Sequence, residues 1–415
     1  MGKIIELISS FLESTGIAAF FENGGWMNLI MIFIGFVFMF LAIKKGFEPY
    51  LLVPISFGII LSNLPGVDVF VKVGINSLGE AITDSHGSLL AGHELSEIVD
   101  YKYSGLLGYL YYGVKYEIYP CLIFLGIGAT TDFGPLIANK KTMILGAAAQ
   151  VGIFVAFFGA LVLGFNFFEA GSIGIIGGAD GPTAILVSSK FLARSGGQSM
   201  NYQAPIALAA YSYMALVPVI FPFIIRLMTT KKERSIKMEQ LREVSKKERI
   251  LFPIIVTLVV CLIVPAATPL IGCLMLGNLL KESGIVPNLV HTASNAILYI
   301  STIGLGLSVG ATAYGPGFLT LETLKIFALG IFAFVIAAVF GLLGGKIMCA
   351  LTHGKVNPMI GAAGVSAVPM AARVVQKEGQ REDPSNFLLM HAMGPNVAGV
   401  IGSAIAAGIL MSIFL

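Results

Sequence analysis

Long apolar runs separated by short polar or charged junctions dominate the chain. Runs long enough for, or broken within, one crossing of a hydrocarbon layer lie near 27–43, 48–64, 119–136, 142–165 and 203–228. A second set lies near 250–267, 268–281, 294–314, 320–349 and 385–414. Crossing a bilayer as a helix takes about 20 apolar residues. The pattern therefore predicts an all-α polytopic membrane protein of about ten transmembrane helices. Two further stretches, 171–193 and 357–376, are apolar but dense in Gly, Pro, Ser and Thr. They read as re-entrant hairpins rather than crossings. The N-terminal segment 1–26 holds short apolar pieces broken by Glu6, Glu13 and Glu22, and no cleavable signal is expected there.

Composition sharpens the picture. Of 415 residues 56% are hydrophobic and 12% charged, with a mean hydropathy of +0.87. A soluble domain carries roughly 25% charged residues. The net charge of +3 gives no indication of nucleic-acid binding. Basic residues gather at segment ends: Lys44-Lys45, Lys140-Lys141, and the stretch 229–249 with eight Lys/Arg and four Glu. The connection 65–118 holds seven Asp/Glu against three Lys. By the positive-inside rule, both termini lie outside and 229–249 is a cytoplasmic linker, solvated, with an amphipathic helix. The four cysteines form no CxxC or His/Cys cluster and read as small buried hydrophobes.

Three ordered self-similarities divide the membrane region. Residues 128–135 (GATTDFGP) echo 310–316 (GATAYGP), 52–64 echo 267–279, and 176–184 (IGGADGPTA) echo 360–368 (IGAAGVSAV). The predicted organisation is a first repeat over 27–228, the charged loop 229–249 and a second repeat over 250–415. Each holds five crossings and one hairpin, and an odd number of crossings inverts the second repeat relative to the first. In inverted repeats the binding site lies near the midplane, where interrupted segments of the two halves meet.

The hairpins carry the chemistry. In 175–185 (IIGGADGPTAI) a single carboxylate, Asp180, stands among helix breakers. Glycines such as Gly178 allow close backbone approach, and Pro182 frees a carbonyl. With the Thr183 hydroxyl these groups offer hard oxygen ligands, and one carboxylate suits a monovalent cation, Na⁺ or H⁺. An acid at mid-membrane costs ~2.5–3.5 kcal/mol and is functional by default; the structural alternative is pairing with Lys190 or a buried donor. The second hairpin has no acid. It offers Asn357 and Ser366 and reaches Arg373, a bidentate anion ligand in chemistry. Asn396 supplies a mid-span amide oxygen. Tyr211 and Tyr213 are proton carriers by type, Asp132 is a third intramembrane acid candidate, and His391 adjoins the 393–396 break. No P-loop, GxSxG or HExxH is present.

Gly177–Thr183, Asn357–Arg373 and His391–Asn396 together resemble the membrane-embedded beta subunit of the sodium-pumping biotin-dependent decarboxylases, which act on oxaloacetate, methylmalonyl-CoA or glutaconyl-CoA. The resemblance covers 25–415. It implies a bacterial inner-membrane translocase that decarboxylates carboxybiotin delivered by a partner, consumes a proton and exports Na⁺. It implies catalytic roles for Asp180, Tyr213, Ser366 and Arg373, and carboxybiotin contacts at Arg373, Asn357 and Gly361. It implies Na⁺ ligation by Asp180, Gly178, Thr183, Asn396 and Ser366. The implied partners are biotin carrier and carboxyltransferase subunits, a small gamma or delta membrane subunit, and further copies of the chain in a homotrimer. A Na⁺- or H⁺-coupled secondary transporter of a carboxylate remains the alternative.

Overall fold

The computed structural model describes residues 20, 25–46, 48–65, 72–73, 98–99, 105–195 and 202–415. The acid-rich connection 65–118 and segment 1–26 thus lie largely outside the described residues. Apart from a two-residue pairing of Lys72–Val73 with Ile98–Val99, the described residues form helices and their connections. The molecule is an all-helical polytopic membrane protein. Its outer surface is apolar, with Val162, Leu227, Leu262 and Ile263 exposed, as expected when the solvent is lipid.

The first half holds α1 (Gly25–Lys45), α2 (Pro49–Ser62), α3 (Gly105–Lys115), α4 (Ile118–Thr130), α5 (Gly134–Ala138), α6 (Met143–Ala149) and α7 (Val151–Val162). The first interrupted segment follows: α8 (Phe167–Gly174), a 3₁₀ turn at Ile175–Gly178, and α9 (Gly181–Ser195). Then comes α10 (Gln203–Met228), which holds Pro218 and Pro222 and bends by 60°. Pro218 has no N–H to offer the preceding turn, which locates the bend. The second half holds α12 (Lys246–Ile263), α13 (Thr268–Ser283), α14 (Pro287–His291), α15 (Leu298–Ala311), α16 (Gly315–Phe318) and α17 (Leu321–Leu351). A 3₁₀ stretch at Pro358–Gly364, α18 (Met370–Glu382) and α19 (Leu389–Phe414) complete it.

The predicted crossings fall on helices, but those at 119–136, 142–165 and 250–267 are interrupted. By length and apolarity, five stretches can cross a membrane alone: Gly25–Lys45, Lys140–Val162, Pro287–Ala311, Leu321–Leu351 and Leu389–Phe414; bent α10 makes a sixth. Others are short. Fourteen-residue α2 spans about 21 Å at 1.5 Å per residue, against a core of about 30 Å.

Two crossings are packed backbone to backbone. A Cβ at Gly58 of α2 would meet Leu307 O and Ala311 N of α15, and one at Gly306 would meet Pro54, so these helices run parallel. A Cβ at Gly277 of α13 would overlap Leu125 O and crowd Ala129 N of α4; one at Gly128 would overlap Leu274 O. Lys281 then reaches Thr131 O, which makes this second pair parallel too.

Both interrupted segments return to the side they left. Asn166, the N-cap of α8, donates to Ser195 Oγ at the end of α9 (2.9 Å). In the second segment, Asn357 and Asn386 both donate to the carbonyls of Arg234 and Ile236, at 2.9–3.2 Å. The first segment spans 167–195 and the second 358–382, longer than the 171–193 and 357–376 expected.

The linker differs from the solvated amphipathic helix expected. Its only helix within 229–244 is α11 (Lys231–Arg234), closed by a Thr230/Glu233 capping box. From there it is strapped onto α18 and its exit by Arg234–Glu382 (2.8 Å) and Lys237–Asp383 (2.9 Å), with Arg226 of α10 adding a bond to Glu378 (2.6 Å). Ion pairing won over solvation because α18 presents Glu378 and Glu382 one turn apart, on one face.

Candidate functional site

The site forms where the two interrupted segments touch. Ala179 turns the chain in a left-handed conformation (φ 53°), rare for a residue with a Cβ and costing about 1–2 kcal/mol. Asp180 follows at the N-terminus of α9. Its Oδ1 accepts from Thr183 N (3.4 Å), and the positive end of the α9 dipole faces it. Its Oδ2 accepts from Ser403 Oγ of α19 at 2.6 Å, the short distance of a charge-assisted bond. Ser366 of the second segment extends the chain, its Oγ lying 2.9 Å from Ser403 Oγ and from Gly399 O. Ser366 N donates to Gly178 O (3.2 Å), a main-chain tie between the two segments. Asp180 is 5% exposed. Lys190, the partner weighed from sequence, pairs instead with Glu117 (3.2 Å), because it lies nearly three turns along α9 from Asp180.

Three more buried oxygens have no hydrogen-bond partner: Thr183 Oγ1, Asn396 Oδ1 and Gln150 Oε1. Asn396 is oriented by its amide nitrogen, which donates to Val365 O (2.6 Å). Gln150 is held by Gly146 O (3.1 Å) and lies beside Gly178. Buried polar atoms are normally paired, so unpartnered acceptors around a carboxylate make an oxygen-lined environment suited to a hard cation of low charge. Among the described residues no cluster of three His, Cys, Asp or Glu exists to bind a transition metal.

A cavity of about 360 Å³ runs to Asp180 and Ser366 from Thr130, Thr131 and Asp132, and Pro369 lines its wall. Asp132 is 41% exposed and pairs with Arg249 of α12 (3.3 Å), so the cavity opens toward the side that carries the linker.

Other expected residues lie elsewhere. Asn357 has no free hydrogen-bonding group to offer a substrate: its amide holds the linker and its Oδ1 caps Met359 N (3.0 Å). Gly361 packs main chain to main chain on Gly341 of α17. Tyr213 donates to Phe327 O (2.7 Å) on α17. Tyr211, two residues and about 200° around the helix, lies against Gly181, its hydroxyl buried and unpartnered. So Tyr211, not Tyr213, adjoins Asp180. Arg373 is exposed one turn beyond Pro369, outside the residues lining the cavity, with no side-chain partner among the described residues. His391 is buried with Nδ1 unpartnered.

Sequence reasoning missed Ser403 and Gln150. Ser403 was legible as the third member of Asn396, Gly399 and Ser403, which share one helical face. Gln150 is a lone amide inside an otherwise apolar run.

Comparison with known proteins gives the family. Residues 27–414 match the family model of the Na⁺-transporting oxaloacetate decarboxylase beta subunit. The chain is 54% identical to the methylmalonyl-CoA decarboxylase subunit beta of Propionigenium modestum, over 99% of this chain and 100% of that protein. It is 49% identical to the glutaconyl-CoA decarboxylase subunit beta of Acidaminococcus fermentans, over 99% of each. It is 47% identical to the oxaloacetate decarboxylase beta chain of Klebsiella pneumoniae, over 96% of this chain and 98% of that one. With its described membrane helices and its buried oxygen-lined junction, the chain belongs to the family of Na⁺-transporting oxaloacetate decarboxylase beta subunits.

Proposed function

We propose that this chain is the membrane subunit of a decarboxylase sodium pump, and that Asp180 carries its Na⁺. The observation that carries the assignment is a carboxylate buried where two broken segments meet, among acceptor oxygens that nothing in the protein satisfies. Na⁺ is cargo. Asp180 supplies the balancing charge, Thr183, Asn396 and Gln150 the neutral oxygens, and Ser403 and Ser366 orient the carboxylate. Carboxybiotin, brought by a carrier subunit, approaches from the linker side. Its N–CO₂ bond breaks, the electron pair stays on the ureido nitrogen, and one proton taken up there gives biotin and CO₂. Exporting one charge against 100 mV costs ~2.3 kcal/mol, which this step supplies. Coupling requires the step to have different free energies in two access states. Arg373, exposed and unpartnered, is available to an anionic group on that side. The wider assembly follows the same reading: a carboxyltransferase and biotin carrier, a small gamma or delta subunit, a trimer of this chain, and a bacterial inner-membrane location.

The same reading includes an inverted repeat of five crossings and one hairpin per half. The two glycine crossings support it: Gly58 on Leu307 and Ala311 has its counterpart in Gly277 on Leu125 and Ala129. So do the broken segments, where a Cβ at Gly177 would crowd Gly152 and one at Gly361 would overlap Gly341. Helix direction supports inversion. α2 is parallel to α15, and α15 follows α13 after the short turn at Gly284, so α13 runs opposite to α2, its counterpart.

The test is CO₂ release from free carboxybiotin by the purified complex in liposomes, with ²²Na⁺ uptake measured alongside. Na⁺-dependent release that falls at least ~100-fold in Asp180→Asn is the expected result. Unchanged release removes Asp180 from the mechanism. Uptake of a dicarboxylate without any biotin species overturns the pump assignment.

A further inference from the structure

The two parallel crossings differ in one respect, how each holds the break that ends its helix. After α15 the chain breaks at 312–314, and Asn63 at the end of α2 holds it. Its amide donates to Ala313 O (2.8 Å) and its Oδ1 accepts from Gly315 N (2.9 Å). A neutral amide suffices. After α4 the chain breaks at 131–133, and the corresponding carbonyl, Thr131 O, is held by an ammonium: Lys281 Nζ lies 2.9 Å from Thr131 O and 3.2 Å from Thr130 O. Thr130, Thr131 and Asp132 also line the cavity that reaches Asp180. The break without a cation does not.

We propose that the carbonyls of Thr130 and Thr131, with the Asp132 carboxylate, form a second, transient Na⁺ site on the path to Asp180, and that Lys281 is its tethered occupant in this conformation. The inference rests on Asp180 as the cation site. Carbonyls freed at a helix C-terminus carry the negative end of the dipole, and such broken ends coordinate alkali cations in membrane carriers. Arg249 is shared between Asp132 (3.3 Å) and Glu282 (3.7 Å), so its single charge does not neutralise both acids. An ammonium and a Na⁺ compete for the same oxygens. When Lys281 holds them, an ion leaving Asp180 meets an occupied site; when Lys281 swings out, the carbonyls receive an ion from solution.

The measurement is ²²Na⁺ binding and Na⁺-dependent decarboxylation of the purified complex. Lys281→Gln puts at this break the neutral amide that the other break already uses, so capping is kept while the competing charge is removed. It lowers the half-saturating Na⁺ concentration at least threefold, whereas Lys281→Arg, which keeps the charge, leaves it near wild type. In binding, Asp180→Asn alone retains no Na⁺, and Asp180→Asn with Lys281→Gln regains one. Equal half-saturation in Lys281→Gln and Lys281→Arg, or no binding in the double variant, reduces Lys281 to a helix cap and overturns the proposal while leaving Asp180 in place. Wild-type binding in Asp180→Asn alone instead overturns the reading on which it rests.

Discussion

The segments at 167–195 and 358–382 are packed alike and equipped differently. Each lays a glycine against a glycine of a long helix, Gly177 on Gly152 and Gly361 on Gly341, and each returns to its own side. Only the first carries an acid at its break, Asp180; the acids of the second, Glu378 and Glu382, lie at the far end of α18 and pair with Arg226 and Arg234. The second contributes Ser366, whose side chain and main chain both reach toward the first. Packing can be duplicated at little cost because it depends on small residues. A buried charge costs several kcal/mol each time it is repeated; the break of the second segment has Gly364 and Val365 where the first has Asp180.

The largest effect expected from breaking this comparison is loss of the fold. Valine at Gly177 or Gly361 forces main chain apart, and overpacking of this kind costs about 1–3 kcal/mol or more; detergent thermal-unfolding midpoints should fall in both, by similar amounts if the segments are equivalent. Ser403→Ala removes the donor to Asp180 Oδ2. A hydrogen bond to a charged group is worth about 1.5–3 kcal/mol, so the half-saturating Na⁺ concentration should rise by roughly tenfold or more and the unfolding midpoint should fall as well. The tyrosines separate next. Tyr213→Phe loses a bond to Phe327 O worth about 0.5–1.5 kcal/mol and lowers stability without moving the Na⁺ dependence, while Tyr211→Phe, beside Gly181, moves the Na⁺ dependence.

The smallest effect is at the strap. The Ser385 hydroxyl, then the Lys237 ammonium and the Ser385 N–H, hold the Asp383 carboxyl at about 2. The unfolded group titrates near 3.9. A carboxyl depressed on folding stabilises the folded state fully above its unfolded value and loses that contribution as pH falls through its folded value. The difference in unfolding midpoint between wild type and Asp383→Asn should therefore be constant above about pH 5 and close between about pH 4 and 2. A difference that grows on acidification would contradict the assignment.

The membrane class, the helices, both broken segments and Asp180 were legible because breakers and a charge in an apolar run are conspicuous. Gly128 and Gly310, paired in the sequence reading, each bring main chain against main chain: a Cβ would overlap Leu274 O at the first and Ile55 O at the second. Under the proposed repeat, the contacts would match Gly58 with Gly277, one helical turn away from the pairing of 52–64 with 267–279, which sets Gly58 beside Cys273. Small residues recur every turn in such helices, so sequence identity cannot fix which turn matches. The family resemblance implied a carboxybiotin contact at Asn357; in the structure its amide is engaged by carbonyls 121 and 123 residues earlier, at a range no local pattern reports.

The shared grip of Asn357 and Asn386 on the carbonyls of Arg234 and Ile236 has a mechanical corollary. The bonds holding the linker to the second segment attach at or before Lys237, and Met238 adds only packing on the core, leaving 239–241 without a side-chain bond among the described residues. A cut there severs the polypeptide without severing the grip. Two fragments made separately, ending and starting in that interval, should therefore co-purify through those bonds, and loss of co-purification in Asn386→Ala would show that the grip is what joins them.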